Sequence, residues 1–195
     1  MVGSQQTGFE EAPTQPPMLN PSEFKAYNRL ADHMDLFHNN FRRMWNEIYS
    51  ACTNNKRPSH QPMHAFLNLA ESFCTQLTLH HTIEERHFFP ELAARMPEFR
   101  KDLIGQHREI HHGLEKMHRY VKMCRTGQTE LQLSHLKDLM ESFGEVLWAH
   151  LDDEVRALGA ENMRKYWNFQ EMAELYHYMC CLSLGDTEEA DMIHT

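Results

Sequence analysis

Residues 77–90 read LTLHHTIEERHFFP, and residues 147–158 read LWAHLDDEVRAL. Each stretch sets a histidine four residues ahead of a glutamate: His80 with Glu84, and His150 with Glu154. On an α-helix, positions four apart differ by only about 40° around the axis, so each pair projects from one face, a turn apart. In the first stretch Phe66, Ala70, Phe73 and Leu77 mark an apolar stripe that His80 and Glu84 continue, whereas His81 and Glu85 fall to its side. In the second, Met140, Phe143, Leu147 and Leu151 set the stripe, and His150 and Glu154 lie on it. Both pairs therefore face a core. A carboxylate there is costly unless it is paired or coordinated, and two of them, each with a histidine one turn away, are hard to explain by packing.

The neighbouring segments add nitrogen donors. In QHREIHHGLEKMH, residues 106–118, His107 and His111 share a stripe with Ile104, Leu114 and His118, while His112 points away. His38 lies within the band of Leu30, Met34, Phe37, Phe41, Trp45 and Ile48, and His33 lies nearer the opposite edge. The inward set is thus His38, His80, Glu84, His107, His111, His150 and Glu154, enough for two metal ions bridged by carboxylates inside a helical bundle. Imidazole with carboxylate suits iron, manganese or zinc, and no thiolate shares these stripes. Such ligands bind as neutral imidazole and ionised carboxylate, so metal affinity is expected to fall in acid.

Around these motifs the chain reads as helices. Asn20 as cap, Pro21 in the first turn and Glu23 reaching back open a helix over 21–53. Pro62 opens a second over 62–89, interrupted by Pro90 and Pro97. A third runs from Glu98 to Arg125, with Gly127 as its stop, and a fourth from Thr129 as a cap to Leu158, ahead of Gly159. No segment alternates as a strand does, and the connections are short. The fold expected over 20–159 is therefore an all-α, antiparallel, up-down-up-down four-helix bundle. Residues 1–19, with three prolines, read as an arm. Residues 160–185 read as one or two helices covering the bundle through Met163, Tyr166, Trp167, Met172, Leu175, Tyr176 and Met179, and residues 186–195 as an acidic tail.

Composition narrows the function classes. With 195 residues, 41% of them hydrophobic, the chain is long enough for one domain with a real core. A formal charge of −9 argues against sequence-independent binding to nucleic acid, which depends on Lys and Arg. No run approaches the roughly twenty apolar residues of a membrane span, and residues 1–17 lack the basic and apolar regions of a signal peptide. Five cysteines, odd in number and without a CxxC pair, suit reduced thiols, so the expected location is the cytoplasm. Cys180–Cys181 is read as a helical packing pair. The fifteen histidines are the one strong departure from ordinary usage, and the motifs above place five of them.

Taken in order, a histidine in the first helix, H-x-x-x-E followed by FFP in the second, H-x-x-x-H in the third and H-x-x-x-E in the fourth resemble the hemerythrin-like, HHE cation-binding family over roughly Leu30 to Leu158. The resemblance implies a non-haem di-iron centre. One iron would be held by His107, His111 and His150 and the other by His38 and His80, with Glu84 and Glu154 bridging and an oxygen atom between the metals. It also implies an open position for dioxygen on the two-histidine iron, and makes iron the first choice over manganese or zinc. One departure stands out: the oxygen carriers of the family have Asp five residues after the fourth-helix histidine, where this chain has Val155, its carboxylate being Glu154. Asp153 is the alternative carboxylate. Two functions remain open at this point: binding of dioxygen or iron for storage, carriage or sensing, and oxidation of a small organic substrate at the same centre.

Overall fold

The computed structural model describes residues 17–54 and 62–179. Most of the expected arm, the acidic tail and Cys180–Cys181 lie outside the described residues. Within them the chain is all-helical, and no strand occurs among them.

Helix α1 spans Pro21–Thr53. The Asn20 side-chain oxygen accepts from the Ser22 and Glu23 amides at 3.0 Å, and the Glu23 carboxylate accepts from the Asn20 amide at 2.9 Å. This reciprocal capping, with Pro21 needing no partner for a missing N–H, sets the helix start. Helix α2, Met63–Ile83, does not run unbroken to residue 89 as the sequence suggests. It widens into a π turn, Glu84–Phe88, where the Phe89 amide bonds to the Glu84 carbonyl, and then resumes as α3, Phe89–Ala93. In a regular helix the Pro90 ring would press on the carbonyl of Arg86, four residues back; the wider turn admits one extra residue there and lets the chain continue through the proline.

A 3₁₀ turn, Pro97–Phe99, leads into α4, Asp102–Arg125, which therefore begins four residues after the expected Glu98. Gly127 follows it at φ 73°, the left-handed conformation that closes a helix, and the Gln128 amide bonds to the Met123 carbonyl. Helix α5 is Leu133–Ala157, and Thr129 does not cap it. The Gln132 amide, just ahead of it, is instead bound by the Tyr120 hydroxyl at 2.7 Å. Beyond it lie α6, Ala160–Met163, and α7, residues 169–179.

The four long helices close a ring in which α1 packs on α2 and α5, and α4 on α2 and α5. Approach is tightest where side chains are smallest. A Cβ built on Gly113 of α4 would stand 2.6 Å from Phe143 of α5, and one on Gly144 would stand 2.9 Å from the Trp45 ring of α1. The interior divides into two apolar clusters. One holds Phe41, Phe66, Phe73, Leu77, Leu114 and Phe143. The other holds Met34, Phe88, Phe89, Met96, Phe99 and Leu103, and is completed by Met163 of α6 and by Met172, Leu175 and Met179 of α7. Between Met34 and Phe41 on α1, and between Leu77 and Phe88 on the second segment, come the buried histidines and glutamates. The polar donors thus form a layer with an apolar cluster on either side.

Candidate metal centre

Four helical segments supply this layer. His38, His81, Glu84, His107, His150 and Glu154 are all at most 1% exposed. The His80 side chain is 11% exposed and that of His111 is 34%. Two quartets converge, His38–His80–Glu84–Glu154 and His81–Glu84–His107–His150, each able to offer donor atoms within 4.8 Å of one another. Glu84 belongs to both. Its Oε1 lies 2.9 Å from His80 Nε2 and its Oε2 3.4 Å from His107 Nε2. Glu154 spans the quartets in the same way, with Oε2 3.3 Å from His38 Nε2 and 3.6 Å from His150 Nε2. Each carboxylate therefore reaches one histidine from either side, as a bridging group between two cations would.

The rings are aimed by what holds their other nitrogen. His38 Nδ1–H donates to the Leu151 carbonyl at 3.0 Å, His107 Nδ1–H to Glu85 Oε1 at 2.9 Å, and His150 Nδ1–H to Gln106 Oε1 at 3.2 Å. Gln106 is fixed in turn, its Nε2 donating to Asp153 at 2.9 Å. With the proton on Nδ1, each Nε2 is left as a lone pair pointing into the layer. The His107 and His150 Nε2 atoms then face each other at 3.1 Å, two acceptors with no proton between them. A shared cation resolves that repulsion, since metal–nitrogen bonds of about 2.1 Å at a right angle separate two nitrogens by about 3.0 Å.

The remaining polar atoms pose the same problem. His38 Nε2, His80 Nε2, both nitrogens of His81 and both carboxylate oxygens of Glu84 and Glu154 are buried with no aligned hydrogen-bond partner among the described residues. The close approaches of His80 to Glu84 and of His38 to Glu154 are not directed as hydrogen bonds. Buried polar groups are nearly always satisfied, so this many orphans in one layer fit a site for cations. Protonation points the same way. Burial pushes His80 down to about 4, and burial with the neighbouring histidines pushes His107 to about 3. His150 falls to about 3, burial outweighing the pull of Glu154, and His81 lies well below its ordinary value through burial and four surrounding imidazoles. All four stay neutral, the form that ligates metal. Burial and the Glu154 charge drive Glu84 well above the usual carboxylate range. Burial also works against Glu154, yet His38, His150 and His80 together hold it below that range.

Of the seven residues singled out by sequence, the structure brings six into the two quartets: His38, His80, Glu84, His107, His150 and Glu154. His111 stands apart. Its Nε2 is 3.5 Å from Glu85, and it groups with Glu85 and His107 at the edge of the layer. His81, set beside the stripe by the sequence reading, is fully buried, its ring stacked on His107 with centroids 3.9 Å apart. The signal for it was present. Leu67, Ala70, Cys74 and Leu77, all buried, form a second line along α2 that His81 continues, and the narrower stripe left out Leu67 and Cys74. Asp153 lies outside both quartets and supports His150 through Gln106.

Residues 29–160, most of the chain and nearly all of the four long helices, match the family model described as the hemerythrin HHE cation-binding domain. The dimeric xanthone biosynthesis cluster protein R11 of Cryptosporiopsis sp. (strain 8999) is 28% identical over 150 residues, covering 73% of this chain. The match takes in 56% of that protein, so the chain spans little more than half the length of this relative. No solved structure matches. A metal-cation family whose matched stretch contains every donor of the two quartets agrees with the orphaned atoms found there, and the chain belongs to the hemerythrin HHE cation-binding domain family.

Proposed function

We propose that the chain binds two iron ions in the polar layer, Glu84 and Glu154 bridging them, and uses them to bind dioxygen for carriage, storage or sensing. In this reading the four long helices run alternately up and down, as their short connections favour, and the protein works in the reducing cytoplasm. His38 and His80 hold one iron. His107 and His150 hold the other, with His81 as the third nitrogen in preference to His111, because His81 is buried with both nitrogens orphaned while His111 is one-third exposed and turned to Glu85. A carboxylate-bridged iron pair supplies an open coordination position and electrons for dioxygen. The chain's own residues orient the imidazoles, keep them unprotonated and exclude water. On the side of the two-histidine iron, the Phe41 and Phe37 rings flank His80 at 5.1 and 5.6 Å. Such apolar walls limit proton access and slow irreversible oxidation.

The observation that carries this reading is the pair of quartets sharing Glu84. The iron-loaded, reduced chain should develop visible absorption in air that is lost on degassing and returns on re-exposure. Bands that appear once and never reverse contradict reversible binding and favour the second reading, a di-iron oxidase or oxygenase acting on a small organic molecule. That alternative is supported by the relative's place in a biosynthesis cluster.

A further inference from the structure

A cleft of about 870 Å³ opens where α6 meets the α4–α5 pair, and none of the metal donors lines it. Phe24, Leu103, Ala157 and Ala160 form its apolar wall. The charged groups around it are unevenly matched. Arg156 is bound to Asp153 at 2.7 Å. Arg164 lies 3.4 Å from Glu161 and also donates to the Pro17 carbonyl, and Lys165 donates to Asn162. The two arginines are thus matched by carboxylates, whereas Lys165 holds only a neutral amide, so that four acidic against three basic residues leave the lining with one net negative charge. Glu98 and Asp102, on the α4 side, are paired with no cation among the described residues. Glu98 Oε1 accepts from Asn162 at 3.0 Å, while its Oε2 is shut off from solvent and has no hydrogen-bond partner among the described residues. A carboxylate oxygen that water does not reach is poorly screened, so its field acts on the cleft beside it.

The cleft also touches the metal centre. Gln106 and Asp153 line it, and these two residues position His150 through its Nδ1. We propose that the cleft binds a small organic cation, an alkylammonium with an aromatic or aliphatic body, and that its occupancy reaches the metal centre through Gln106. The ammonium lies toward Glu98 and Asp102 and the body covers Phe24 and Leu103. The residues after Gly159 then have a use beyond covering the bundle, because they supply one wall of this site.

Calorimetry with 2-phenylethylammonium on the metal-free full chain tests the site, with phenylacetate and 2-phenylethanol as matched anionic and neutral probes. Saturable binding of one ammonium per chain is expected, about tenfold weaker in Glu98→Gln and in Asp102→Asn, each of which removes one attracting charge. Asp102 is exposed, so the second variant keeps the test open if the first fails to fold. No binding, equal binding of either control probe, or unchanged affinity in both variants overturns the site. The link to the metals rests on the di-iron reading and is measured separately, as the rate at which iron-loaded chain yields iron to a chelator. Saturation with the ammonium should change that rate at least about threefold, which is within reach of a typical coupling free energy. An unchanged rate overturns the link, and the calorimetry stands whether or not iron binds.

Discussion

At the scale of single residues, Glu84 and His81 decide the character of the centre. Glu84 is the one group common to both quartets, and without a cation its burial beside Glu154 is unfavourable to its charge. In the proposed di-iron reading His81 and His111 compete for one place on the second iron, and substitution separates them. His81→Ala should lower bound iron to about one per chain, whereas His111→Ala, altering a partly exposed ring on Glu85, should leave two. The reverse result would return His111 to the ligand set.

Acid provides another residue-scale test. In the metal-free chain His80, His107 and His150 titrate near 4, 3 and 3 when folded and near 6.5 when unfolded. As pH falls below about 6.5 the unfolded chain takes up protons that the folded chain refuses, and each histidine then removes about 1.4 kcal/mol of stability per pH unit until its folded value is reached. Glu84 acts in the opposite sense, its stabilising contribution being present in acid and lost as pH rises above 4.5. Three histidines outweigh one glutamate. The melting temperature of the metal-free chain should drop between pH 7 and pH 5, and a flat or rising profile would show that the imidazoles are not held neutral.

At the scale of elements, the close approach of α4 to α5 depends on Gly113. A methyl group there must displace the Phe143 ring, an overpacking that costs about 1–3 kcal/mol against about 1 kcal/mol regained in helix propensity. Gly113→Ala should therefore lower the melting temperature by an amount equivalent to at most about 2 kcal/mol, and a rise would mean that the helices separate freely. The limits of sequence reading also lie at this scale. The start of α1 was legible because Asn20, Pro21 and Glu23 form a local signal that no distant contact overrides. The break at Glu84–Phe88 was not, since a proline announces strain without saying whether the chain ends the helix or widens it. The start of α5 was missed because the amide just ahead of it, that of Gln132, is bound by Tyr120, a partner twelve residues away.

Across the whole molecule, helical periodicity placed seven donors on inner faces, and the fold gathers six of them, all but His111, in two quartets between two apolar clusters. What periodicity could not supply was the width of each buried face. Helix α2 is packed on one side by α1 and on the other by α4, so His80 and His81, 100° apart on an ideal helix, are both drawn inward. The layer they enter is a poor interior for a protein without a cation, crowding neutral imidazoles and two carboxylates with unfilled lone pairs. In the proposed reading two metal ions complete it. Iron and protein should be quantified on the same sample after anaerobic loading with ferrous iron and removal of the excess. Two irons per chain are predicted, and fewer than one would contradict the account.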